Sequence, residues 1–169
     1  KGPTVGLTHA PYLDSSYFEH LGYAQPLKGG GTLGVGLQYF SGGSQPETDT
    51  TGTQVGSFKP SDLAITAGYG YRVSGAGLLD GISVGIAAKY VQSKILATAK
   101  GGAVDIGVLS PELRDGKLRL GLSVTNLGGK LKFETEKENL PLALRLGGAY
   151  RFSERWLAAL DIGLPKDNR

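Results

Sequence analysis

The sequence predicts an all-β protein, an antiparallel up-and-down meander closing as a transmembrane β-barrel. Three observations predict it. Apolar residues recur at every second position through nearly every segment, the signature of strands. Many of the alternating segments reach about ten residues or more, where soluble strands average nearer five or six and a tilted membrane strand needs about 9–11. The two faces also differ: one carries Leu, Val, Ile and aromatic rings, the other Gly, Ala, Ser, Thr and isolated charges. A soluble sheet normally sets large polar residues on its wet face, whereas small residues with scattered charges suit a crowded barrel lumen.

The pattern gives about nine strands, near 3–12, 18–27, 31–41, 60–74, 80–94, 98–109, 117–127, 140–153 and 155–164. In the third, Leu33, Val35, Leu37 and Tyr39 oppose Gly34, Gly36 and Gln38. In the fourth, Leu63, Ile65, Ala67, Tyr69 and Tyr71 oppose Ala64, Thr66, Gly68, Gly70 and Arg72; in the fifth, Ile82, Val84, Ile86, Ala88 and Tyr90 oppose Ser83, Gly85, Ala87 and Lys89. The clearest is the seventh, where Leu118, Leu120, Leu122 and Val124 oppose Arg119, Gly121, Ser123 and Thr125. The eighth sets Leu142, Leu144, Leu146, Gly148, Tyr150 and Phe152 against Ala143, Arg145, Gly147, Ala149, Arg151 and Ser153. Aromatic residues fall toward strand ends (Tyr39, Tyr69, Tyr71, Tyr90, Tyr150, Trp156), as a headgroup girdle requires and as β-propensity alone also allows.

The connections alternate. Asp14–Tyr17, Ser41–Pro60, Gln92–Ala97 and Gly128–Asn139 read as long or polar; Lys28–Gly30, Ser74–Leu79, Ser110–Asp115 and Ser153–Glu154 read as shorter. Short periplasmic turns and longer outer loops are the outer-membrane pattern. It places Lys1 in the periplasm, makes Ser41–Pro60 the main extracellular loop, gives the cluster Glu134, Glu136, Lys137 and Glu138 to a solvated outer loop, and leaves the chain end outside. Residues 1–169 read as one barrel domain or a fragment of one. A single-chain bacterial barrel has an even strand number, so an odd count means either a miscounted strand or strands that lie outside this chain; the expectation is the second, a larger barrel.

Composition removes other classes. The 169 residues are 40% hydrophobic, mean hydropathy is -0.11, and no apolar run approaches the roughly 20 residues of a spanning helix. The 28 glycines have no collagen period. Net charge is +3, from 18 basic and 15 acidic residues well mixed, with no tract fit for nucleic acid. There is no Cys, hence no disulfide or thiolate metal site, and no Met, even at position 1, which reads as processing or truncation.

Motifs that carry chemistry elsewhere fail here for want of context. Gly81-Ile82-Ser83-Val84-Gly85 fits a nucleophile elbow, which needs a sharp strand-to-helix turn; alternation continues straight through it. Gly29-Gly30-Gly31-Thr32-Leu33-Gly34 fits a dinucleotide loop, which needs a helix after it; a strand follows. His9 and His20 could approach across the first hairpin, but two histidines without a carboxylate make a poor metal site. No catalytic residue, metal or cofactor is expected, and no enzyme. The residues of interest are charges on the small-residue faces: Arg72, Lys89, Asp105, Arg119, Arg145, Arg151 and Asp161. On a lipid face near mid-membrane each costs about 2–4 kcal/mol, so they are expected to face a lumen or its rim, as a structural network of paired charges or as a selectivity filter.

Several runs are also familiar. Leu21-Gly22-Tyr23-Ala24-Gln25-Pro26-Leu27 with Gly30-Gly31-Thr32-Leu33-Gly34-Val35-Gly36-Leu37-Gln38-Tyr39, then Ser61-Asp62-Leu63-Ala64, Val124-Thr125-Asn126-Leu127-Gly128, and Leu140-Pro141-Leu142-Ala143-Leu144-Arg145-Leu146-Gly147-Gly148-Ala149-Tyr150-Arg151, resemble the PorV/PorQ family over essentially the whole chain. The resemblance implies a bacterial outer-membrane barrel related to the long-chain fatty acid transporter, in contact with outer-membrane lipids. It also implies a place in type IX secretion, as partner of a translocon or in surface attachment, within a larger complex. The family's upstream segment with its Asn-Pro-Ala-Gly-Leu motif and its last strands are not in this sequence, which agrees with a fragment and counts against plug-dependent transport. The function expected is therefore a non-enzymatic barrel component of protein secretion or surface assembly. The alternatives are a transporter-like or porin-like barrel for hydrophobic small molecules, and a soluble β-sandwich binding module.

Overall fold

The structure is a computed structural model that describes residues 2–75, 77, 79–132 and 137–166. The strands are β1 (Thr4–Pro11), β2 (Tyr17–Pro26), β3 (Gly31–Ser41), β4 (Gln45–Thr48), β5 (Gln54–Phe58), β6 (Ser61–Arg72), β7 (Ser83–Lys94), β8 (Thr98–Leu109), β9 (Leu118–Lys132), β10 (Lys137–Asn139), β11 (Leu142–Arg151) and β12 (Leu157–Lys166). Nine of them form one antiparallel meander in the order β1-β2-β3-β6-β7-β8-β9-β11-β12, each paired with the next long strand of the chain. All nine expected strands are present, and the long ones (12 residues in β6, β7 and β8) have membrane length.

Local chemistry sets the turns. Between β1 and β2, Asp14 and Ser15 both take the left-handed region (φ 54 and 59), and Ser16 N–H closes on the Leu13 carbonyl at 3.1 Å. Short polar side chains tolerate that region better than others, and two such residues match the twist of a hairpin.

The 41–60 connection is itself a hairpin. β4 pairs with β5, apart from the main sheet. Its base closes where Gly42 N–H donates to Pro60 at 2.8 Å. At its tip the Asp49 carboxylate accepts from Thr51 N–H at 2.9 Å, Thr51 Oγ1 at 2.6 Å and Thr53 N–H at 2.9 Å. Hydrogen bonding to the Thr51 hydroxyl first, and to Thr53 N–H next, holds the Asp49 carboxyl below its ordinary value.

Two expectations are corrected. β9 does not stop near 127 but runs to Lys132, where β10 pairs with it. Asn126 (φ 64) and Gly128 (φ 63) each put an extra residue into β9, so Val104 pairs with Leu127 and Gly102 with Lys130. Two bulges restore the original facing, which alternation read from sequence registers as a strand end. Lys137 and Glu138 thus belong to a strand, while Glu134 and Glu136 lie outside the described residues. Nor does connection length alternate cleanly: only Ile95, Leu96 and Ala97 separate β7 from β8, while residues 73–82 separate β6 from β7 on the side expected to be short.

Candidate functional site

Register sorts every side chain onto one of two faces. Directly opposed residues share a face. Val5, Leu7, Leu21, Leu33, Val35, Leu37, Ile65, Ile86, Ile106, Leu122, Val124, Leu144, Leu146, Ile162 and Leu164 form one continuous surface from β1 to β12. Nothing in the described residues covers it. Leu7 is 77% exposed, Ile86 55% and Leu160 70%, while among the described residues the buried hydrophobic side chains are Ala99 and Ala103. Among the described residues the main sheet has no second layer opposite it, so the β-sandwich alternative is overturned. A sandwich buries these aliphatic residues in a dry core, and here they point away from the rest of the chain.

The apolar surface is a slanted belt. The hydrogen-bonded row that starts at Gln25 on β2, the lower polar limit there, passes through Leu33, Tyr69, Ile86, Ile106, Val124 and Leu144 to Leu164. It ends two positions from Lys166, the upper polar limit on β12. The belt thus shifts by about four to six residues in seven strand steps, which at ~3.3 Å per residue and ~4.8 Å per strand is a slope of roughly 20–30°. A band that is level in a membrane crosses tilted strands in this way.

The other face is built from Gly, Ala, Ser and Thr. It holds three shallow hollows of about 470, 440 and 420 Å³. Arg72, Lys89, Asp105, Arg119, Arg145, Arg151 and Asp161 all sit on it: Lys89 lies opposite Thr66 and Ala103, Asp105 opposite Ala87, Arg145 opposite Ser123, and Asp161 opposite Gly147.

Two of the seven meet. Lys89 Nζ donates to Asp105 Oδ2 at 3.0 Å, with side chains only 18% and 24% exposed. The other Asp105 oxygen accepts the Asn126 N–H at 2.8 Å, and Asn126 Nδ2 donates to the Pro141 carbonyl at 2.8 Å. The backbone N–H that the first β9 bulge withdraws from the ladder is therefore captured by a carboxylate, which a lysine in turn neutralises. One network joins β7, β8, β9 and the start of β11.

The remaining charges stand apart. Arg119 pairs with Glu112 of the β8–β9 turn at 3.2 Å, both exposed. Arg145 and Asp161 both line the hollow of about 470 Å³ without pairing with each other. Asp161 lies over Gly147, where a Cβ would collide with its carboxylate. Arg72 and Arg151 end β6 and β11. Sequence reasoning missed Asn126 and Glu112. The signal for Asn126 was present, because it interrupts the alternation of β9 and precedes a glycine by two.

The two histidines do not converge. His9 lies opposite Glu19 and His20 opposite Thr8, so they occupy opposite faces. His9 Nδ1 is 3.4 Å from the Glu19 carboxylate, an ion pair when protonated. Ser83 opens a strand that runs on to Lys94, with no elbow, and the Gly29–Gly30 turn leads into β3 rather than a helix.

No curated protein and no solved structure matches the chain. Among known families, the one described as "Type IX secretion system protein PorV" matches residues 1–159. Its members are outer-membrane components of that secretion system, and this places the protein in the bacterial outer membrane. An open antiparallel meander with a bare aliphatic face, matched along 159 of 169 residues, belongs to the PorV family of type IX secretion system proteins.

Proposed function

We propose that the sheet is barrel wall, with the aliphatic belt against lipid hydrocarbon and the small-residue face lining the interior. In this reading the protein acts without catalysis, as a barrel partner in type IX secretion or surface assembly. The bare belt carries the proposal: a surface of this extent is stable only against lipid or another apolar body. β1 and β12 each pair on one side only. An open strand edge is not tolerated in hydrocarbon, so both edges are paired in the membrane, with each other or with further strand. The β4–β5 hairpin and the β9 extension share one end of the sheet, and the outer-loop rule assigns that end, with 41–60, to the cell surface. The Lys89–Asp105–Asn126 network is structural in this account, fixing a bulged strand from inside.

The hollows of the inner face are lined by Lys89, Asp105, Arg145 and Asp161, which disfavours passage of hydrophobic small molecules. The test is extraction of the native outer membrane in mild detergent, followed by crosslinking from cysteines placed on the 42–60 hairpin. The protein is expected to need detergent and to crosslink to a much larger secretion component. A protein that is monodisperse without detergent, or that crosslinks to nothing, overturns the proposal.

A further inference from the structure

The cations of the main sheet separate by type. Its arginines, Arg72, Arg119, Arg145 and Arg151, all face inward. Of its lysines only Lys89 does so. Lys94, Lys100, Lys130, Lys132 and Lys166 all fall on the outward, aliphatic face and all at one rim, the end that carries the β4–β5 hairpin. Lys94, Lys100, Lys130 and Lys132 are exposed and lie on the three adjacent strands β7, β8 and β9. On β7, β8, β9, β11 and β12 that face holds no Asp or Glu among the described residues, and none of the five lysines has an ion pair with a described residue.

The arrangement is electrostatically unfavourable by itself. Lys100 stands directly opposite Lys132. Like charges directly opposite one another across a ladder destabilise it. Among the described residues, this row above the apolar belt has no anion beside it. At the lipid boundary the long lysine stems lie along apolar surface while their ammonium groups reach the headgroup layer.

We infer that the outward rim of β7–β9 binds the phosphorylated headgroups of outer-leaflet lipid, with Lys94, Lys100, Lys130 and Lys132 as the phosphate-binding groups. This rests on the barrel orientation proposed above. The ligand class follows from the position: an anion presented beside hydrocarbon, to side chains that point out of the barrel, is a lipid phosphate.

The test reconstitutes the protein into phosphatidylcholine nanodiscs doped with diphosphoryl lipid A or with its dephosphorylated form, and counts bound lipid by native mass spectrometry. Inorganic phosphate serves as a separate competitor. The combined variant Lys94→Gln, Lys100→Gln, Lys130→Gln, Lys132→Gln is compared with Lys28→Gln, Lys117→Gln at the opposite rim. Roughly fivefold per lysine is the scale of attraction to an anionic membrane surface, so the rim variant is expected to lose at least about tenfold in diphosphoryl lipid binding, and the control none. Millimolar phosphate leaves lipid binding intact if the site reads a membrane-borne headgroup. Equal binding by rim variant and wild type, equal binding of the dephosphorylated lipid, or displacement by free phosphate overturns the inference. Failure to insert into phosphatidylcholine at all would instead overturn the barrel reading beneath it.

Discussion

Ile86 and Ala87 are neighbours on β7 that face opposite ways, and exchanging each for arginine separates a lipid-facing belt from an ordinary sheet surface. Ile86 is 55% exposed near the middle of the belt and lies between Tyr69 and Ile106. Ala87 lies opposite Asp105 and borders a hollow of about 440 Å³. An arginine at mid-membrane on the lipid face of a barrel costs about 2–4 kcal/mol, a factor of roughly 30 to 1,000 in the folding equilibrium. Ala87→Arg has room, a hydrated face and a carboxylate across the ladder, so its expected change is within about 1 kcal/mol in either direction. Both are measured by reversible denaturant unfolding in lipid vesicles, followed by the fluorescence of Trp156, the only tryptophan. If the belt met water, Ile86→Arg would shift stability by no more than about 0.5 kcal/mol. Equal effects at the two positions refute the facing assigned here.

Three further outcomes are expected. Asp105→Ala leaves Lys89 half-buried without its partner and frees the Asn126 N–H, at a cost of about 1–3 kcal/mol, discounted because neither side chain is fully dry; in a double-mutant cycle Lys89→Met recovers part of it. Asn126→Ala loses about 1–2 kcal/mol because its φ of 64 suits few residues, whereas Asn126→Gly, which keeps that conformation accessible, loses less. The Asp49 carboxyl titrates below its ordinary range, so its hydrogen bonds stabilise the 45–58 hairpin fully above the unfolded-state value and are lost as pH falls through the folded-state value. Amide shifts of Thr51 and Thr53 followed on acidification report this, and in Asp49→Asn they no longer follow a carboxylate titration.

The strand plan was legible because a two-residue period is a direct image of facing: Leu118 to Val124 can alternate with Arg119 to Thr125 only if the two sets meet different surroundings. The same property explains the miss at β9. Asn126 and Gly128 insert two residues, and a period-two reading takes each insertion as the end of a strand when together they cancel. That the seven charges share the small-residue face was legible, since alternation along each strand sorts them there. Their pairing was not. That Lys89 meets Asp105, and that Arg119 turns to Glu112, depends on register between segments, and no local pattern encodes it. Likewise the row of Lys100 and Lys132 emerges only after β8 and β9 are aligned, because the two residues are far apart in the chain and unremarkable singly.

The proposed facing sets the aliphatic side of the sheet against hydrocarbon and the small-residue side against water. Because the chain has no cysteine, single cysteines can be placed at each position from 118 to 124 and spin-labelled in lipid vesicles. Collision with oxygen, which concentrates in hydrocarbon, and with a water-soluble nickel chelate then reports each environment. Alternation is expected, with oxygen dominating at 118, 120, 122 and 124 and the chelate at 119, 121 and 123. Chelate access at the even positions, or no alternation along the strand, contradicts that facing.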